Sequence, residues 1–188
     1  AEHHQPEALR GHALEDRGNL DDAIGQYEAA AARAPTYPRP LLNIGNVLQR
    51  QGRLADAVTV LERAVALDPA YAPSHFNLGL LHLHAERFAP AEHGFRAALR
   101  IDPDFDDAAL ALANLLADTQ RRDEAEALLQ RMMRGDRTHP RTPYALARLL
   151  LEGDRIDEAE AHLAAAVAAD PHFAPAHAAM GTLCLRTG

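Results

Sequence analysis

Eleven histidines, several paired carboxylates and a single cysteine are the side chains in this 188-residue sequence with chemistry to offer. Two imidazoles on one helix hold a metal ion only from the same face. His82 and His84 are two residues apart, so on a helix they diverge by about 200°. His75 and His82 are seven apart and stand on one side, yet their places in the pattern described below read as packing. His3 and His4 make a flexible start able to scavenge metal, and no zinc-type spacing of Cys and His occurs. The acids Asp21-Asp22, Asp106-Asp107 and Asp157-Glu158 fall at helix starts, where the helix dipole and free N–H groups favour negative charge. No serine sits in a Gly-x-Ser-x-Gly turn, and there is no glycine-rich phosphate loop. Cys184, being alone, forms no intramolecular disulfide and reads as a small apolar helix residue. The sequence therefore predicts no catalytic residue, no cofactor and no metal site.

Composition narrows what is left. The formal net charge is −8, and all 19 basic residues are Arg. Such a chain lacks the basic face that phosphate neutralisation needs, which argues against nucleic acid as a partner. No run of about 18 apolar residues exists to span a membrane. The opening AEHHQPEALR has no apolar signal core, which leaves the cytoplasm as the default compartment. Ala and Leu dominate, and only 5% of residues are aromatic. High helix propensity and few β-branched residues predict helices. Recognition by a helical surface is the class that survives.

The elements that must present such a surface are written as a repeat. Counted from His4 in steps of 34, units begin at His4, Pro38, Ala72, Asp106, Pro140 and Ala174 with no insertion. Place eight reads Gly11, Gly45, Gly79, Ala113, Ala147, Gly181. Place twenty is Ala23, Ala57, Ala91, Ala125, Ala159, and place twenty-four is bulky: Tyr27, Leu61, Phe95, Leu129, Leu163. Place twenty-seven is Ala30, Ala64, Ala98, Met132, Ala166, and place thirty-two is Pro35, Pro69, Pro103, Arg137, Pro171. Each unit reads as two helices. In the second, one helix runs from about Pro40 to Arg50, Gly52 stops it with a positive φ, and the next runs from Leu54 to Asp68-Pro69. Small residues at places eight, twenty and twenty-seven let two antiparallel helices approach, and the bulky residue fills the space alongside. The fourth unit departs most, and Gly135 is expected to end its second helix with an angled junction up to Pro140.

These five registers together make the chain resemble the tetratricopeptide repeat family. The usual Trp at place four is absent; Glu7, Leu41, His75, Ala109, Pro143 and His177 stand there. The resemblance implies an all-α solenoid of antiparallel helix pairs wound as a right-handed superhelix. It would have five full repeats (4–37, 38–71, 72–105, 106–139, 140–173) and the first helix of a sixth (174–188), as one domain over residues 1–188. Met180, Leu183, Cys184 and Leu185 form an apolar face without its second helix. That predicts a chain cut from a longer protein, or self-association through Met180, Leu183 and Leu185.

In the resembled family, the first helices line a concave groove with places two, five, six, nine, twelve and thirteen. Carried over, the candidates are Arg39, Leu42, Asn43, Asn46 and Arg50 in the second repeat, Phe76, Asn77 and Leu80 in the third, Asn114 in the fourth, and Arg141, Tyr144 and Arg148 in the fifth. Asn43 and Asn77 share a place one repeat apart, and an Asn amide can both donate to and accept from a peptide backbone. This partial ladder looks like that of O-GlcNAc transferases, with Leu9, Ala111, Ala145 and Ala179 interrupting it. Phe76, Leu80 and Tyr144 would anchor apolar side chains, and Arg141, Arg148 and Arg186 would meet acids. The subtype that clamps chaperone C-termini is argued against, because Leu42, Asp107 and Ala111 hold its basic places. The expected function is a non-catalytic interaction module binding a peptide segment of a protein partner. The alternatives are the substrate-recruiting arm of a larger enzyme, such as an O-GlcNAc-transferase-like glycosyltransferase, or a self-associating scaffold.

Overall fold

Apolar residues recurring every three to four positions bury one stripe of each helix and leave the rest to water. In the computed structural model this yields eleven helices among the described residues, 6–134 and 139–187 with the side chains of 186 and 187 excepted, and no strand among them. They are α1 (Pro6–Asp16), α2 (Leu20–Arg33), α3 (Arg39–Arg50), α4 (Leu54–Leu67), α5 (Ala72–His84), α6 (Phe88–Ile101), α7 (Asp106–Asp118), α8 (Arg122–Met133), α9 (Arg141–Glu152), α10 (Ile156–Ala169) and α11 (Ala174–Thr187). Each odd helix packs against the even helix that follows it, and each even helix packs against the next odd one within its unit. The expected helix pairs are all present. The expectations for His3, His4, Gly135, Arg137 and the side chain of Arg186 lie outside the described residues. The chain divides into two compact units at Phe105/Asp106, where one repeat ends and the next begins. The first holds α1 to α6 and the second α7 to α11.

The turn inside each repeat is a hydrogen-bonded stop. Arg53 N donates to Leu48 O at 2.9 Å while Gly52 N donates to Gln49 O at 2.9 Å. This is the Schellman pattern, which needs a left-handed residue just past the helix. Gly18 (φ 78°) and Gly52 (φ 74°) supply it cheaply. The same conformation falls on Glu86 (56°), Gln120 (63°) and Asp154 (58°), each with the same pair of bonds. In the fifth repeat the left-handed residue is Asp154, although Gly153 precedes it. The two carbonyls set this geometry whether or not glycine is present to ease it.

Between the two helices of a repeat, place eight meets place twenty-four. A Cβ added at Gly45 would lie 2.7 Å from the Leu61 side chain, and one at Gly79 would lie 2.8 Å from the Phe95 ring. The place-twenty alanines, Ala23, Ala57, Ala91, Ala125 and Ala159, are all 0% exposed. The third repeat approaches more closely still. A Cβ on Gly94 would stand 2.8 Å from the His75 carbonyl oxygen and 2.9 Å from the Gly79 Cα, so here backbone meets backbone.

Junctions between repeats use short polar bonds. Asp68, Asp102 and Asp170 each accept from the amide two residues on, at 3.0, 3.0 and 2.9 Å, closing the turn around the place-thirty-two proline. Place four is filled in different ways. His75 donates through Nε2 to Pro69 O at 3.0 Å, and His177 does the same to Pro171 O at 2.9 Å. Leu41 joins the core, and the buried Glu7 carboxylate pairs with Arg33 at 2.7 Å.

One core place is anomalous. Place eleven is Leu14, Leu48, Leu116 and Leu150, but His82 in the third repeat. His82 is buried, and its Nδ1 has no partner among the described residues. Burial depresses its pKa first, and the nearby Arg87 cation lowers it further against the opposing Glu62. The unfolded chain therefore binds this proton more tightly than the folded one, so stability falls as pH drops below about 6.5.

Three substitutions probe this packing. Gly94→Ala is expected to cost about 1–3 kcal/mol by overpacking against backbone, whereas Gln120→Gly should gain up to about 1 kcal/mol by relieving the left-handed strain. Urea unfolding of both variants checks the opposite signs. His82→Leu should add about 1–3 kcal/mol at neutral pH by removing an unsatisfied buried nitrogen. It should also flatten the loss of stability between about pH 7 and 5. An unchanged acid slope would show that other groups carry that loss.

Candidate functional site

The first helices of the first unit provide the surface to which Asn43, Asn46 and Asn77 belong. α3 packs against α5, and side chains tie α1 to α3. Arg50 donates to Glu15 at 2.8 Å, and Glu15 also accepts from the fully buried Tyr27 hydroxyl. Burial, with the Glu15 carboxylate beside it, pushes the Tyr27 phenol far above its usual range. Asn43 Nδ2 stands 3.4 Å from His12 Nε2. An amide nitrogen only donates, so that contact requires Nε2 to be without a proton. Arg50 is thus a strut between repeats.

Asn46 is exposed and Asn77 half-buried, and neither has a protein partner among the described residues. Both can offer a donor and an acceptor outward. Leu80 is half-buried, and Arg39 is exposed in the first turn of α3. Leu42 is not on this surface: it is 5% exposed and belongs to the core cluster with Leu41, Val47 and Leu61. Phe76 is also turned inward, with its ring centroid 5.9 Å from Phe95 and 4.9 Å from Phe105. Both occupy place five. A helical side chain leans toward the helix N-terminus, so this place covers the preceding turn and the end of its own repeat.

One residue was not singled out by the sequence as an anchor. Leu9 on α1 is 56% exposed and shares place six with Asn43 and Asn77. The signal was present, as an apolar residue at a groove place, but it read as a gap in the ladder.

The second unit has its own first-helix face. Arg141 and Asp107, both at place two, pair at 2.6 Å across one repeat. Tyr144 packs edge-on to Phe173 at 5.5 Å, matching the place-five pattern of Phe76. Asn114 and Arg148, both at place nine and exposed, have no protein partner among the described residues and line a shallow recess with Glu152. On the second-helix side, Arg155 bridges Glu126 at 2.6 Å and Glu158 at 2.6 Å. These bonds raise the guanidinium pKa and lower that of Glu158.

Two cavities and the last helix offer other surfaces. Open cavities of about 420 Å³ between α2 and α4 and about 330 Å³ between α8 and α10 are lined by the place-four residues Leu41 and Pro143. Of the residues expected to meet a second copy, Leu183 is 5% exposed and so covered by the chain itself, while Leu185 is 89% exposed and Met180 half-buried. Among the described residues, no group of three or more His, Cys, Asp or Glu is placed to hold a metal ion. No helix among them is long and apolar enough to cross a membrane.

Comparison with known proteins places this arrangement. Two tetratricopeptide repeat profiles match the chain, one over residues 8–72 and 42–104, the other over 82–141 and 123–183. No curated protein matches significantly. Among solved structures, the thermophilic TPR protein TTC0263 of Thermus thermophilus is 23% identical with a TM-score of 0.73, over 96% of this chain and 98% of that one. MamA of Desulfovibrio magneticus RS-1 is 17% identical with a TM-score of 0.71, over 90% and 96%. YrrB, described as having an unusual peptide-binding site, is 18% identical with a TM-score of 0.67, over 94% and 91%. At these identities the likeness is one of fold.

Burial sorts the struts that brace these faces. Glu15→Ala should cost about 1–3 kcal/mol, because it leaves the buried Tyr27 hydroxyl unpaired. Asp107→Ala, at a half-exposed pair, should cost less than about 1 kcal/mol. Parallel denaturant titrations would show the ordering, and equal losses would contradict it.

Proposed function

The chain belongs to the tetratricopeptide repeat family, and from that premise we propose that it is a non-catalytic interaction module holding a peptide segment of a protein partner on its first-helix faces. The observation that carries this reading is the pair Asn46 and Asn77, side-chain amides on packed helices with no protein partner among the described residues. An amide grips peptide main chain without regard to its side chains. Asn43, steadied by His12, stands at the same place as Asn77 one repeat away, and Leu80 lies beside them in sequence register. Arg39 stands at the rim of this face, Arg50 braces it, and Leu42 and Phe76 support it from the core beneath. On the second unit, Asn114 and Arg148 are the contact residues, with Arg141 and Tyr144 positioning their surroundings. A relative of the same fold, YrrB, has a peptide-binding site, which supports the class of ligand.

The test is a peptide-array and pull-down comparison of the wild-type chain with Asn46→Ala/Asn77→Ala. Losing two main-chain hydrogen bonds should weaken the captured set about tenfold or more. Circular dichroism should be unchanged, since neither amide supports the fold. A partner set indifferent to the double substitution would move the site off this face.

A further inference from the structure

Resting on that reading, we infer that the segment bound by the first unit is uncharged and extended, with an aliphatic side chain seated on Leu9. Three observations lead there. First, the amides of Asn46 and Asn77 are useful only to a main chain whose own N–H and C=O groups are unpaired. A helical segment has spent those groups internally, so an extended one fits.

Second, the face is electrically quiet. Arg50, which by sequence offers a cation, is neutralised by Glu15 at 2.8 Å. His12 is engaged by Asn43 and packs edge-on to Tyr27 at 5.5 Å. Asp16, exposed at the end of α1, is a solvated carboxylate at that end of the face. An acidic segment meets no free cation at the groove places of α1 or the end of α3 and meets Asp16 as a repellent. A basic one finds a single solvated carboxylate, which is worth little.

Third, Leu9 stands 56% exposed at the place where the next two repeats carry Asn43 and Asn77. Neighbouring helices lie about 8–10 Å apart, which an extended chain covers in about three residues. The aliphatic residue of the partner therefore falls about three residues from the main-chain group facing Asn43 and about six from that facing Asn77.

The experiment measures binding of the full chain to fluorescein-labelled peptides of about nine residues. The parent peptide is built from Ser, Thr and Gln with one Leu near an end. Its companions carry two Asp, two Arg, or Ser in place of the Leu, and a helix-stapled peptide of the same composition completes the set. Titrations run at about 0.05 and 0.5 M salt, with Leu9→Ser and Asn46→Ala/Asn77→Ala alongside wild type. The parent is expected to bind about tenfold tighter than the acidic, Leu-free and stapled forms, with an affinity unchanged by salt. Leu9→Ser should cost about fivefold or more, a loss read against unchanged circular dichroism. If a charged or stapled peptide binds more tightly and the Asn substitutions abolish it, this partner chemistry is wrong and the peptide-binding reading stands. If no peptide binds, or none responds to the Asn substitutions, both fail.

Discussion

Everything in this chain depends on how near two helices of one repeat can come. The approach is set where place eight meets place twenty-four. Gly45 against Leu61 and Gly79 against Phe95 leave no room for a single Cβ. With the helices held at that distance, the alanines of place twenty are fully enclosed, and Tyr27, Phe95, Leu61 and Leu163 become the buried mass of their repeats. A helix pair alone cannot cover such a stripe. Stacking repeats covers it, and the outward places of the first helices are thereby released from packing duty.

Those released places are where one repeat differs from the next. Leu9, Asn43 and Asn77 occupy one place, and His12, Asn46 and Leu80 another. The fold tolerates the variation because these side chains lie outside the small-to-large contact. Several polar residues near them brace the solenoid instead, and Glu15, held between Arg50 and Tyr27, is the clearest case. A charge that looks available in a sequence can be consumed by the neighbouring repeat.

The repeat, its helix pairs and the small-to-large contact were legible in the sequence because each recurs in register, so five copies vouch for one another. His82 was visible as the one non-aliphatic residue in a column of leucines across the five full repeats. Place five was legible only in part. Leu42, Phe76 and Tyr144 read as groove residues, yet a side chain leaning toward its helix N-terminus carries them onto the core, Phe105 and Phe173 respectively. The pairing of Arg141 with Asp107 was equally hidden, since it depends on how far a long side chain reaches across a junction. The turns at Glu86, Gln120 and Asp154 were not legible either. Their positive φ comes from two carbonyl acceptors, and no residue type announces it.

The ion pairs that cross repeat junctions are mostly half-exposed. Arg141–Asp107 and Arg155–Glu126 in the second unit both span the step from the α7–α8 pair to the α9–α10 pair. Water already solvates such charges, so parting them costs little, and re-forming them gains as little. The apolar core holds the step together, while these pairs act as soft restraints on its angle. Within a unit, then, buried apolar packing fixes the step from one repeat to the next, and the half-exposed pairs across it can be exchanged by salt or by a ligand's own charges at little cost to the fold.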